Sequence, residues 1–155
     1  MQRHCDSLLS AGYRSVQKRK KDIEVIDSAF LVNNIELAFS VWNKPWNKQI
    51  SFEDFCCYIL PYRAQTELPS NLREHMKNRF IPILDSAKVT STLDACIVLN
   101  EHLKTIMRYQ NTGLPFYPTI EETYYSGISR CEGLCDLGTF IMRSVGIPVT
   151  VDMTT

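Results

Sequence analysis

Two residue types in this chain could do chemistry: the six cysteines at 5, 56, 57, 96, 131 and 135, and the three histidines His4, His75 and His102. Cys131 has the most informative surroundings. Ser129-Arg130-Cys131-Glu132 reads as a capping box, with Ser129 as N-cap and Glu132 three positions on. Cys131 would then be the second residue of a helix. Its sulfur would sit beside backbone N–H groups without intrahelical partners, at the positive end of the helix dipole. That setting stabilises a thiolate, the nucleophilic form of cysteine. Arg130 adds a positive neighbour and Glu132 opposes it. Capping alone leaves open a second reading, in which Cys131 is an ordinary small residue at a helix start.

A thiolate nucleophile needs a base, and the base needs an orienting partner. No histidine follows Cys131; His4, His75 and His102 all precede it. One of them could still supply a base in space, since triads are defined by geometry and not by order. His102 falls on an apparent helix and reads as a surface or half-buried residue. Cys131 and Cys135 would share a helix face. Zinc would need two further ligands, and no Cys-x-x-Cys or His-x-x-x-His pair supplies them, so no metal is expected. No cofactor is expected either. A disulfide between these two would distort the helix, and Cys135 reads as a core residue. Cys56, Cys57 and Cys96 lie in apolar stretches, where cysteine behaves as a small buried hydrophobe. All six are expected to be free thiols, because the cysteine density is far below that of a disulfide scaffold. Phe116, Tyr117, Tyr124 and Tyr125 read as packing residues, or as the lining of an acyl-group cleft before Cys131.

The elements that must position Cys131 are mostly helices. From Asp27 to Trp42, Leu31, Ile35, Ala38, Phe39 and Trp42 form an amphipathic stripe. Asn43-Lys44-Pro45 ends it. Ser51 caps a short helix with Asp54 in its first turn, and Phe52, Phe55, Cys56, Ile59 and Leu60 form its buried face. Pro61 stops it. A third helix runs from Ser70 to about Leu84, kinked or shortened by Pro82. A fourth starts at the N-cap Ser91, with Leu93, Cys96, Ile97, Leu103 and Met107 as its buried set. Gly113, Pro115 and Pro118 mark a loop. Thr119 can cap a helical turn beginning at Ile120. In the last helix Leu134, Leu137, Ile141 and Val145 form the stripe, and Gly138 on the same side permits close packing. Gly146 is a C′ residue with Pro148 just beyond. Val149-Thr150-Val151-Asp152-Met153 alternates like a strand.

The chain has 155 residues, with 17 Lys and Arg against 17 Asp and Glu, so the formal net charge is zero. Balanced charge removes the long-range attraction to nucleic acid. The cluster Lys18-Arg19-Lys20-Lys21 reads as a solvated helix face. An apolar fraction of 45 % argues against disorder. No apolar run approaches the ~18 to 20 residues that span a membrane. The start lacks the form of a signal peptide, and localisation stays open, including export of a parent protein.

Cys131, Arg143 twelve positions on and Gly146-Ile147-Pro148 together resemble the signature of the transglutaminase-like superfamily. Asp136, Leu137, Phe140 and Ile141 also suit the helix of that signature. Residues 51–63 are similar to the segment that precedes the core in transglutaminase-like proteins of gut Bacteroidetes. The resemblance implies a papain-like fold with a Cys-His-Asp arrangement. The cysteine attacks a glutamine side-chain amide or a peptide carbonyl, and an amine or water resolves the thioester. It makes Cys131 the nucleophile, with its own backbone N–H as an oxyanion donor, and Arg143, Gly146 and Pro148 structural members. In the family the histidine and aspartate follow the cysteine on strands. Here they are missing, and Asp152 comes too early for a triad role.

The expected fold is therefore mainly α, an α+β fragment: the helical N-terminal lobe of a transglutaminase-like domain with a short terminal strand. Residues 1–26 read as a solvated helix or connector, and 27–155 as the helical part of a domain incomplete at its C-terminus. The expected partners are a protein or peptide substrate and the remainder of a parent chain, and this piece alone is expected to be inactive. The alternative is a non-catalytic helical binding or scaffolding module with a structural cysteine motif.

Overall fold

The computed structural model describes residues 21–111 and 117–152. In chain order these form α1 (Asp22–Val25), α2 (Ser28–Phe39), α3 (Phe52–Tyr58), α4 (Arg73–Ser86), α5 (Thr92–Ile106), β1 (Arg108–Tyr109), α6 (Ile120–Ser126), β2 (Ile128–Ser129) and α7 (Cys131–Ser144). The protein is mainly helical. No helix of the described residues is long and apolar enough to cross a membrane.

Local side chains set several helix starts. The hydroxyls of Ser51 and Ser91 accept from the amides of Asp54 and Asp94 at 3.0 and 3.1 Å. Thr119 and Glu122 complete a capping box at α6, satisfying two end donors reciprocally. Asp27 Oδ1 accepts from the Phe30 amide at 2.7 Å and opens α2. α4 differs from expectation at both ends. It begins at Arg73, because the Ser70 hydroxyl is engaged elsewhere, accepting from the Leu72 amide and donating to Glu121 Oε1 at 2.6 Å. It also runs through Pro82 to Ser86. Pro82 is exposed, so the carbonyl it leaves unpaired one turn earlier is open to water, while buried Phe80 and Leu84 hold the helix down.

α7 packs against α4, α5 and α6. The core between them contains Met76, Phe80, Leu84, Ala95, Leu99, Ile120, Leu137, Ile141 and Val145. Trp46 reaches this core from the loop after α2 and donates its indole N–H to the Val145 carbonyl at 2.9 Å. The end of α7 is a Schellman motif. The Gly146 amide donates to Arg143 O and the Ile147 amide to Met142 O, at 3.1 and 2.9 Å. Gly146 has φ +83°, and a Cβ there would lie 2.5 Å from Asn47 Nδ2 and 2.7 Å from Val41 O. A smaller cluster of Ala38, Phe55 and Ile59 lies under Trp42 and Leu60.

The predicted helices exist, and the stripe of α7 is buried at Leu137, Ile141 and Val145, but several residues expected in the buried faces of α2, α3 and α5 are exposed. On α2, Asn34, Leu37 and Ala38 are buried, whereas Leu31, Ile35 and Phe39 are exposed. α2 also ends at Phe39, and residues 40–43 form a turn. Phe52 on α3 is exposed. On α5, Ala95, Leu99 and Leu103 face the core while Leu93 and Ile97 face out. An apolar stripe shows that a helix is amphipathic, not which flank its neighbours cover. Gly138 has open space around it, so it mediates no close packing. Gly133 does: a Cβ there would come within 2.7 Å of Pro118 Cγ and nearer still to Ser129 Oγ. Residues 149–152 form no strand. The Val149 amide donates to the Tyr58 carbonyl, and the Val149 carbonyl accepts from Arg143. The strand pairing lies elsewhere: β1 and β2 run parallel, Arg108 opposite Ile128 and Tyr109 opposite Ser129.

Candidate active site at the start of α7

β2 delivers the chain to α7 and changes the expected cap. Ser129 is paired in the ladder and buried, so Arg130 is the N-cap and has no side-chain cap bond. Cys131 is accordingly the first residue of the helix, not the second. Glu132 does not reach back to close a capping box. Its carboxylate is held below the usual range by its own backbone N–H first, then by the Cys131 thiol, with Arg130 a smaller influence. The Cys131 thiol is exposed and donates to Glu132 Oε2 at 3.3 Å.

One turn on, Cys135 is exposed rather than a core residue. Partial burial pushes its thiol pKa up, and the neighbouring Cys131, Asp136 and Glu132 act in the same direction. Cys135 borders an apolar groove of about 490 Å³ between α5 and α7, with Leu103, Met107, Leu134, Met142 and Val151. Asp152 also lines this groove.

The histidines are elsewhere in the fold. His75 Nε2 pairs with the Tyr124 hydroxyl at 2.9 Å. His102 stands edge-on to Phe80 at 5.8 Å. His4 lies outside the described residues, as do Cys5 and Phe116. The other aromatics named above divide. Tyr124 and Tyr125 meet edge to face at 5.1 Å, with the Arg79 guanidinium over Tyr124, while Tyr117 engages the Asp136 carboxylate. The five described cysteines form no disulfide. Among the described residues, no group of three His, Cys, Asp or Glu is placed to hold a metal.

Inward from Cys131 lies a polar cluster with no counterpart in the sequence reading. Asp136 is 1 % exposed and accepts from Gln65 Nε2 at 2.9 Å. Glu67 is also buried and accepts from the amides of Ala64 and Gln65 at 2.5 and 2.8 Å. Burial first, then the Glu67 carboxylate, raise the Asp136 pKa to about 6, with the Tyr117 and Gln65 bonds opposing. Burial and Asp136 push the Tyr117 hydroxyl up. The available signal was a carboxylate next to Leu137 and four before Phe140, on an apolar flank of α7.

Two buried guanidiniums hold the loop after α3 against α4 and α7. Arg73 donates to Ile59 O at 2.5 Å, Leu60 O at 3.1 Å and Asn34 Oδ1 at 2.7 Å. Arg143 donates to Tyr58 O at 3.0 Å, Val149 O at 2.9 Å and Arg63 O. Burial, with Arg143 as a smaller cause, lowers the Arg73 pKa to about 9. Burial lowers that of Arg143, against a smaller opposing effect of Glu67. Both side chains are structural, satisfying carbonyls that a turn would otherwise leave buried and unpaired.

No family model matches the chain, and no curated protein or solved structure matches it significantly.

Proposed function

We propose that this chain is the helical portion of a transglutaminase-like cysteine acyltransferase or hydrolase, acting on protein or peptide amides through an acyl thioester at Cys131. The observation that supports the reading is the position of Cys131: an exposed sulfur on the first residue of a 14-residue helix. First-turn amides lack intrahelical acceptors and favour negative charge on a neighbouring sulfur or oxygen. In the acylation step the sulfur bonds to the carbonyl carbon, the C–N bond breaks, and the amine leaves with a proton. The acceptor of the thiol hydrogen in this structure is Glu132. The reading requires the helix terminus to outweigh that carboxylate.

Three described thiols are exposed, Cys57, Cys131 and Cys135, which gives an internal control. The full chain is treated with a limiting amount of iodoacetamide and the adducts are located by peptide mass spectrometry. Cys131 is expected to label at least about tenfold faster than Cys57 and Cys135, and Glu132→Gln to widen the gap. Equal labelling of the three would remove the basis for a nucleophile at Cys131. It would favour the second reading, a helical binding module, which draws support from the aromatic side chains that α2 and α3 leave exposed.

A further inference from the structure

One face of the protein combines a fixed apolar layer with an excess of acidic charge. On α2, Leu31, Ile35 and Phe39 recur at i, i+4 and i+8 and are open to solvent, Phe39 at 43 %. Beside them α3 presents Phe52, 58 % exposed. Trp42 joins the two, stacking on Phe52 at 5.4 Å and on the buried Phe55 at 4.7 Å. Phe39 lies 5.5 Å from Trp42 and 4.9 Å from Phe55. These rings support one another, so the exposed surface is contiguous and preformed. Such patches mark interaction sites.

The surrounding charge selects the occupant. Residues 22–60 contain Asp22, Glu24, Asp27, Glu36, Glu53 and Asp54 against Lys44 and Lys48. Asp22 pairs with Arg63, and Lys77 reaches the end of α2 through Ser40. Residues 3–20 are basic: Arg3, Arg14, Lys18, Arg19 and Lys20 are opposed only by Asp6. The same stretch carries Leu8, Leu9, Tyr13 and Val16. It enters the described fold at the border of the acidic face. Asp22 bonds to Tyr62 and Arg63, and the Tyr62 ring stands edge-on to Phe30 of α2 at 5.5 Å. Reach is sufficient, since eighteen residues span about 27 Å even at the helical rise, against about 18 Å for α2.

We propose that this face is the docking surface for the chain's own residues 3–20. Their apolar side chains cover Phe39, Trp42 and Phe52, and their bases meet Glu36, Glu53 and Asp54. The inference does not depend on the chemistry of Cys131.

Zero-length carbodiimide cross-linking of the full chain tests it. Equal amounts of isotopically light and heavy protein are mixed, so that links within and between molecules are distinguished by mass. Links from Lys18 or Lys20 to Glu36, Glu53 or Asp54 within one molecule are expected. Their absence, or links only between light and heavy chains as a second copy on this face would give, overturns the proposal. The double variant Phe39→Ser/Phe52→Ser alters exposed side chains and is expected to keep its circular dichroism. Its docking equilibrium constant, read from the intramolecular link yield, should fall about tenfold, the factor that ~1.4 kcal/mol of lost apolar burial gives. An unchanged yield in the folded variant would show that charge alone brings the segments together and would overturn the apolar contact.

Discussion

Replacing Asp136 by asparagine isolates the cost of keeping a buried carboxylate charged. Asp136 is 1 % exposed, its Oδ1 accepts from the neutral Gln65 amide, and the Tyr117 hydroxyl and the Glu67 carboxylate also act on it. Burial and that neighbour raise its pKa from the usual 3.8 to about 6. Because the folded value lies above the unfolded one, folding disfavours the charged form. The cost is complete well above pH 6 and disappears only as the pH falls below about 3, where both states are protonated. At 1.36 kcal/mol per unit, a shift of about two units corresponds to roughly 3 kcal/mol. Asparagine keeps the shape and the acceptor for Gln65 without the charge, and exchanges the other oxygen for an N–H donor. Asp136→Asn should therefore raise the unfolding free energy at pH 7.5 by about 1–3 kcal/mol, a rise in Tm of several degrees for a chain this size. The advantage should shrink to about a third of that value near pH 4.5 and vanish below about pH 3. Urea titrations of both proteins across that range provide the measurement. A loss of stability at pH 7.5, or a difference that does not change with pH, would refute the electrostatic account.

Arg143→Met should cost about 3 kcal/mol or more in chemical denaturation, because the carbonyls of Tyr58, Arg63 and Val149 lose the guanidinium together and Tyr58 keeps only the Val149 amide. Arg143→Lys should recover less than half, since an ammonium cannot reproduce the planar fork; a Met variant as stable as the parent would contradict this role. Gly146→Ala should cost about 2 kcal/mol or more, from its positive φ and the close approach of Asn47 and Val41, while Gly138→Ala in the same stretch gains about 0.5–1 kcal/mol. Thermal melts of the two variants decide it, and equal effects would rule out the packing argument.

Much of the fold was legible wherever its causes are local. Ser51, Ser91 and Thr119 cap helices, and Gly146 closes one, because each bonds backbone groups only a few residues away. The spacing of side chains fixed helix existence for the same reason. The candidate site was legible only in part. Cys131 lies at a helix start, but the cap moved from Ser129 to Arg130. Ser129 pairs with Tyr109, twenty residues earlier, and no local pattern reports that partner.

What only the tertiary structure decided follows the same division. Leu93 and Ile97 look as buriable as Ala95 and Leu99, and the packing of α5 on α4 and α7 chose between them. Pro82 stays inside α4 because its flank faces solvent while Phe80 and Leu84 are anchored. Asp136 and Glu67 meet only because the chain brings residues far apart in sequence together, as do the guanidiniums of Arg73 and Arg143 with the carbonyls of residues 58–63. The sequence determined the helices and the thiol at the head of the last one, through contacts a turn or two long. The buried flanks of α2 and α5, the polar cluster behind that thiol and the exposed aromatic face depend on long-range packing, which local chemistry does not encode.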